Sequence, residues 1–197
     1  MSIFYGPMQA LAYWHGYQSE RYPFLELREI AIAHELAALL SATRANKLRV
    51  ELEKPYKELP LKKSDTEGGI HKRFLDLYMK RVDSSGDKQI HCVEIKRLKT
   101  QNQSIDEDID KLANLKKFKG MQAWVIVCGK GGLPTKGKNK ESLWARNGSS
   151  QIAKGSSKPI QTKLGSTYYA RRIIRVSSTR NEKSHKSNYV VLLQVKL

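Results

Sequence analysis

The 197 residues predict an α/β fold, a central mixed β-sheet flanked by helices, on three observations. A helical apolar stripe lies early in the chain. Three strand-like runs follow it, two of them joined by a tight turn. A capped amphipathic segment then leads into a short, continuous apolar run of the kind buried between two layers. The resulting order, helix–three strands–helix–strand, suits a sheet covered on both faces.

Residues 1–22 carry Phe4, Tyr5, Tyr13, Trp14, Tyr17 and Tyr22 without a clean period, and read as an irregular aromatic arm packed on the domain. From Phe24 to about Thr43, Leu25, Ile32, Leu36, Leu39 and Leu40 form one helical face. Leu48 to Leu52 is a short strand, with Pro55 and Pro60 after it, and Gly68-Gly69 closes a polar stretch from Lys62. His71 to Val82 and Lys88 to Leu98 flank Asp83-Ser84-Ser85-Gly86-Asp87, a composition that predicts an antiparallel hairpin. Ser104 with Glu107 three residues on predicts a capping box. Ile105, Ile109, Leu112, Leu115 and Phe118 give that helix its buried face, and Gly120 stops it. Gln122 to Cys128 is then a buried strand. Residues 129–166 are rich in Gly, Ser and Lys and read as a long basic loop. Thr167 to Val176 and Tyr189 to Val195 predict a terminal hairpin. The length suits one domain over 1–197, with its core at about 24–128.

Charge is the strongest bulk signal. Lys and Arg number 36 against 19 Asp and Glu, a formal net charge of +17, so an anionic partner would relieve the self-repulsion. Nucleic acid fits, because each neutralised phosphate also releases counterions. No apolar run is long enough to span a bilayer, which predicts no membrane partner, and the N-terminus shows no export signal. Cys92 and Cys128 lie in apolar runs and are expected as buried free thiols, which points to a reducing cytoplasm.

The hairpin carries the chemistry. Asp76 interrupts the apolar run Phe74-Leu75-Asp76-Leu77-Tyr78, and across the turn comes Cys92-Val93-Glu94-Ile95-Lys96. Alternation puts Glu94 and Lys96 on one face of their strand, and a hairpin can bring Asp76 beside them. Two carboxylates at one point repel unless a cation lies between them, and oxygen ligands favour a hard ion such as Mg²⁺. A neighbouring lysine can position water or stabilise developing negative charge.

Asp76 followed by Glu94-Ile95-Lys96 on the next strand resembles the PD-(D/E)xK nuclease superfamily, which includes type II restriction enzymes and archaeal Holliday-junction resolvases. The resemblance covers roughly residues 24–128 and implies a restriction-endonuclease-like α-β-β-β-α-β core, with the C-terminal β-hairpin as an addition. It implies that Asp76, Glu94 and the Ile95 carbonyl bind Mg²⁺, with Mn²⁺ as substitute, and that Lys96 assists the attacking water. It also implies endonucleolytic hydrolysis of DNA to 5′-phosphate and 3′-hydroxyl ends. Many members add a glutamate from the first helix. Glu35 is the choice here, as a catalytic and metal-binding residue, because Ala31, Ile32, Ala38 and Leu39 around it are apolar; Glu29 is the fallback. Leu75 stands where the family often has proline.

Lys130, Lys136, Lys138, Lys140 and Arg146 in the basic loop, and Arg171, Arg172 and Arg175 in the terminal hairpin, are the expected phosphate contacts. With one site per chain, cutting both strands would call for a homodimer or a partner subunit. Restriction or anti-phage defence fits the size. The alternatives are a junction or repair nuclease and a non-catalytic nucleic-acid-binding subunit of the same fold. Gly132 to Asn139 approaches a phosphate-binding loop but has Asn139 where Ser or Thr would hold Mg²⁺, and the five histidines lack zinc-site spacing.

Overall fold

The computed structural model describes residues 3–22, 26–42, 48–62, 73–82, 86, 88–99, 104–130, 159–176 and 188–197. Its elements are α1 (Tyr5–Arg21), α2 (Glu29–Ala42), β1 (Leu48–Pro55), a 3₁₀ turn (Tyr56–Glu58), β2 (Phe74–Val82), β3 (Lys88–Leu98) and α3 (Asp106–Ala113), then β4 (Met121–Lys130), β5 (Ile160–Gln161), β6 (Thr167–Val176) and β7 (Asn188–Val195). The strands form one sheet in the order β1-β2-β3-β4-β7-β6-β5. β3 and β4 run parallel, joined through α3, and every other neighbouring pair is antiparallel. The α/β class and mixed sheet expected from the sequence are therefore present. None of the described helices is long and apolar enough to cross a membrane.

The sheet separates two apolar clusters. Phe4, Met8 and Leu11 of α1 and Ile32, Leu36 and Leu40 of α2 pack on Leu77, Met79, Val93, Ile95, Ile126 and Leu192. On the other face, Ile105, Ile109 and Leu112 around α3 and Tyr56 in the 3₁₀ turn cover Cys92, Val125, Val127 and Val191. β4 and β7 are covered on both faces, which is why they read as unbroken apolar runs rather than alternating ones. Both cysteines are buried and free, and burial pushes both thiols up to about 12.

Five expectations differ from the structure. Residues 1–22 are not an irregular arm, since Tyr5–Arg21 is helical and buries Met8, Leu11, Ala12 and His15 at helical spacing. Exposed Tyr13 and Tyr17 on the outer face had blurred that period. The first core helix starts at Glu29, because residues 26–28 are not helical, and β1 runs on to Pro55. The capping box does not form. Ser104 Oγ accepts the Asp106 N–H at 3.1 Å, while Glu107 pairs with Arg73. That helix ends at Ala113, because Leu115 bridges Leu61 and the Lys116 N–H is donated to the Pro60 carbonyl at 2.7 Å. Those backbone bonds take the chain out of the helix and leave Phe118 39% exposed.

The C-terminal hairpin extends the main sheet beyond the edge of the expected core. β7 pairs with β4 from Ala123↔Val195 to Lys130↔Asn188, so it completes the main sheet. Lys130 ends β4 instead of opening a loop, and residues 159–166 hold β5 and a turn. Lys136, Lys138, Lys140, Arg146 and the Gly68-Gly69 turn lie outside the described residues.

Gly120 sets the approach of β4 to β3. Its φ is +82°, and a Cβ there would fall 2.2 Å from the Lys88 carbonyl oxygen. Gly120→Ala is expected to cost about 3 kcal/mol, from the left-handed backbone and the clash together, read as a lower urea midpoint with unchanged slope.

Candidate active site

Strand register brings the acids together. β2 and β3 pair as far as Tyr78↔Cys92 and Leu77↔Val93, and just beyond this last pair the Asp76 side chain meets that of Glu94. Beyond it β3 continues beside β4 as far as Leu98↔Gly129. Where β2 leaves β3, the Ile95 N–H is donated to Asp76 Oδ2 at 2.6 Å. The N–H and C=O of a strand residue point the same way, so the Ile95 carbonyl is also turned towards β2. β2 changes face here, because Leu75 packs with the α3-side cluster and Leu77 with the α1/α2-side cluster. On β1, between the pairs Leu52↔Leu77 and Lys54↔Leu75, Glu53 takes φ +52° and interrupts the ladder beside Asp76. Backbone of this kind is costly unless its surroundings hold it, and it gathers at functional positions.

Burial governs the pair. Glu94 is 5% exposed, and the Tyr56 hydroxyl donates to its Oε1 at 2.6 Å. The Glu94 carboxyl is held well above its ordinary value, first by burial and then by the charge of Asp76; the Tyr56 hydrogen bond offsets this only in part. Burial also raises Asp76, against the hydrogen bonds it accepts from the Ile95 N–H and from Glu94. Both carboxyls are thus harder to ionise together than apart, and a hard cation between them would relieve that repulsion.

Lys96 lies on the Glu94 face of β3, as alternation predicts. Its Nζ is 3.5 Å from Asp108 Oδ2 and 3.8 Å from Glu29 Oε1. Burial alone would lower the Lys96 amine; the charges of Asp108 and Glu29 outweigh it, and the amine stays protonated. Asp108 also holds Lys111 at 2.7 Å. Arg73, paired with Glu107, brings a further positive charge to the mouth of the site.

The helix glutamate at this cluster is Glu29, not Glu35. Glu29 touches Lys96 and accepts the Arg97 backbone N–H at 2.9 Å. Glu35 is half-buried about 9 Å further along α2 and takes no part in the cluster's hydrogen bonds and ion pairs. Two further members belong to the cluster. Asp108 shares the buried side of α3 with Ile105, Ile109 and Leu112, the same apolar surroundings that single out Glu35 in the sequence. Tyr56 sits in a one-turn element after Pro55 and carries no local signal. Among the described residues, no group of three or more His, Cys, Asp and Glu side chains is placed to hold a metal. The oxygen set here is two carboxyls and a carbonyl, and Mg²⁺ commonly keeps several waters beside one or two carboxylates.

The terminal arginines lie elsewhere. β6 is three strands from β3, about 14 Å across the sheet. Arg171 donates to Gln194 Oε1 at 2.7 Å, and Arg172 stacks over the Tyr5 ring at 4.6 Å, so both are engaged within the fold. Arg175 is exposed. His91 packs in the opposite cluster under Phe4 and accepts the Trp124 indole N–H at 3.2 Å. Compared with protein-family models, with curated proteins and with solved structures, the chain matches none.

Proposed function

We propose that this protein is a metal-dependent nuclease that hydrolyses phosphodiester bonds in DNA. The observation that carries the reading is the meeting of Asp76 and Glu94 where β2 leaves β3, with Lys96 on the same face of β3 as Glu94. The element order α2–β1–β2–β3–α3–β4 supports it, being the order that the resemblance to PD-(D/E)xK nucleases implies. So does the net charge of +17, which suits a polyanionic substrate.

Asp76, Glu94 and the Ile95 carbonyl would hold Mg²⁺ or Mn²⁺. When bound, such an ion polarises a phosphodiester and lowers the pKa of a coordinated water. The chain's own residues do the rest. Tyr56 holds the Glu94 carboxyl in one orientation through its hydroxyl. The Ile95 N–H does the same for Asp76. Lys96 presents a fixed ammonium to a water or to a phosphate oxygen as negative charge develops. Asp108 and Glu29 keep that ammonium charged and in place. Cutting both strands of a duplex would take two copies of the chain or a partner.

The test incubates supercoiled plasmid, branched DNA and single-stranded RNA with the protein in Mg²⁺, in Mn²⁺ and in EDTA. DNA cleavage is expected with either ion, none in EDTA, and a loss on the order of 10³-fold in Asp76→Asn. DNA binding without cutting in either ion would replace the enzyme with a binding protein. Cutting confined to RNA would change the polymer.

A further inference from the structure

At the end of β3 one Glu29 oxygen, Oε1, both faces Lys96 and accepts the Arg97 N–H. Beside it a cleft of about 490 Å³, lined by Arg97 and by the Glu29 neighbours Arg28 and Ile30, opens between α1, the first turn of α2 and the ends of β3 and β4. Pockets that take small molecules have volumes of this order. Four cations line the cleft, Arg28, Arg97, Lys99 and Lys130, against one carboxylate, Glu26. Glu26 is already tied to Lys99 and lies 3.3 Å from Arg97.

A buried histidine with an unfilled bond stands in the wall beside this charge. His15 is 2% exposed, and its Nδ1 has no hydrogen-bond partner among the described residues. Such an atom costs free energy unless something fills its bonding capacity. Burial, then Arg97 and Lys130, lower this imidazole to about 4, so it is neutral at physiological pH while surrounded by positive potential. Asn188, 1% exposed with both amide atoms unpartnered, packs against Gly16, the next residue on α1. Beside the polar Gln18 and Ser19, the rest of the wall is apolar, with Leu27, Ile30 and Leu98, and Tyr22 stands at the rim. A cationic side and an apolar side together suit a ligand with an anionic group joined to a less polar body.

We propose that this cleft binds a nucleotide by its phosphate monoester, the cations taking the phosphate and the apolar part of the wall the sugar and base. Only the choice of a nucleotide over another phosphate ester rests on the nuclease reading. The same chemistry is offered by the phosphorylated end of a DNA strand and by a free mononucleotide. A strand end would place its next phosphodiesters towards Glu29 and Lys96.

Calorimetric titration in EDTA tests this, with metal-assisted cleavage switched off. The probes are a deoxynucleoside 5′-monophosphate, its parent nucleoside, inorganic phosphate, and a short duplex with and without 5′-phosphate. The monophosphate is expected to bind about tenfold or more tightly than the nucleoside. Lys130→Gln, at an exposed strand end, and Arg97→Gln should each weaken it by a similar factor, while Asp76→Asn leaves it unchanged. A 5′-phosphate that strengthens duplex binding by the same factor assigns the cleft to strand ends; a free mononucleotide that outcompetes the phosphorylated duplex assigns it to mononucleotides. Equal binding of nucleoside and monophosphate, or affinity indifferent to both substitutions, overturns the proposal. Phosphate binding that persists in a protein cutting no nucleic acid overturns the nuclease reading and leaves the cleft standing.

Discussion

Glu94→Gln is expected to abolish DNA cleavage and, in the same protein, to raise the melting temperature of the metal-free state. The two effects share one cause. The Glu94 carboxyl is buried beside Asp76 and held well above its ordinary 4.5, so the folded chain binds that proton more tightly than the unfolded chain. The stability it contributes is fully present below the unfolded value and is lost as pH rises through the folded one. At neutral pH and above, the wild-type fold bears the cost of a buried carboxylate or of the proton it must retain. Glutamine keeps a side-chain oxygen to accept the Tyr56 hydroxyl and carries no charge to bury. Between about pH 5 and 8 the melting temperature of the wild-type should therefore fall with rising pH, and that of Glu94→Gln should fall less. Burial raises Asp76 too, which adds to the wild-type slope with the same sign. Each kcal/mol regained should appear as about 3 °C in a chain of this length. Mg²⁺ or Mn²⁺ at pH 8 should raise the melting temperature of the wild-type and leave the variant unmoved. Identical pH slopes would mean that Glu94 does not carry this charge, and wild-type cutting by the variant would remove it from the metal site.

Lys96→Met should lower cleavage by roughly 10²–10³-fold, the usual scale for one group stabilising developing charge. It should also lower stability, because Asp108 and Glu29 lose the cation between them while Asp76 and Glu94 lie nearby. Removing one partner of a fully buried pair costs several kcal/mol; with the Lys96 side chain 22% exposed, about 1–2 kcal/mol is expected from urea unfolding. Lys96→Arg separates the two roles. It keeps the charge and should restore most of the stability, but a planar guanidinium does not present the compact ammonium of lysine, and cleavage should stay low. Recovery of both together in Lys96→Arg would make Lys96 a positioning residue for Asp108 and Glu29, with no direct part at the water or the phosphate.

The sequence carried the site wherever strand periodicity suffices. Asp76, Glu94 and Lys96 lie on a hairpin whose turn and alternating pattern are both legible, and Asp76 meets Glu94 just beyond its last pair, Leu77↔Val93. Helix-borne members were harder. Glu35 and Glu29 both lie on the same helix, and apolar neighbours three and four residues away say only that a side chain faces inward, not which end of the helix reaches β3. Asp108 was legible by its place in the buried stripe of α3, but a single acid there competes with the charges of an ordinary first turn. Tyr56 reaches Glu94 across a separation of 38 residues, and no local pattern encodes such a contact.

The α/β class, the β2–β3 hairpin, the buried β4 and the side-chain faces of Glu94 and Lys96 are all legible in the order of the residues. These depend on interactions within about a dozen residues, through periodicity, turn chemistry and continuous apolar runs. It takes the assembled fold to make residues 5–21 a helix, to join the C-terminal hairpin to the main sheet through β7, and to bring Glu29 rather than Glu35 to the carboxyl pair. That fold also brings His15, Arg97 and Lys130 to one cleft. Each of these outcomes depends on which surfaces are left to be covered once the sheet has assembled, and that choice is made between segments distant in sequence, by burial and by backbone groups in need of partners.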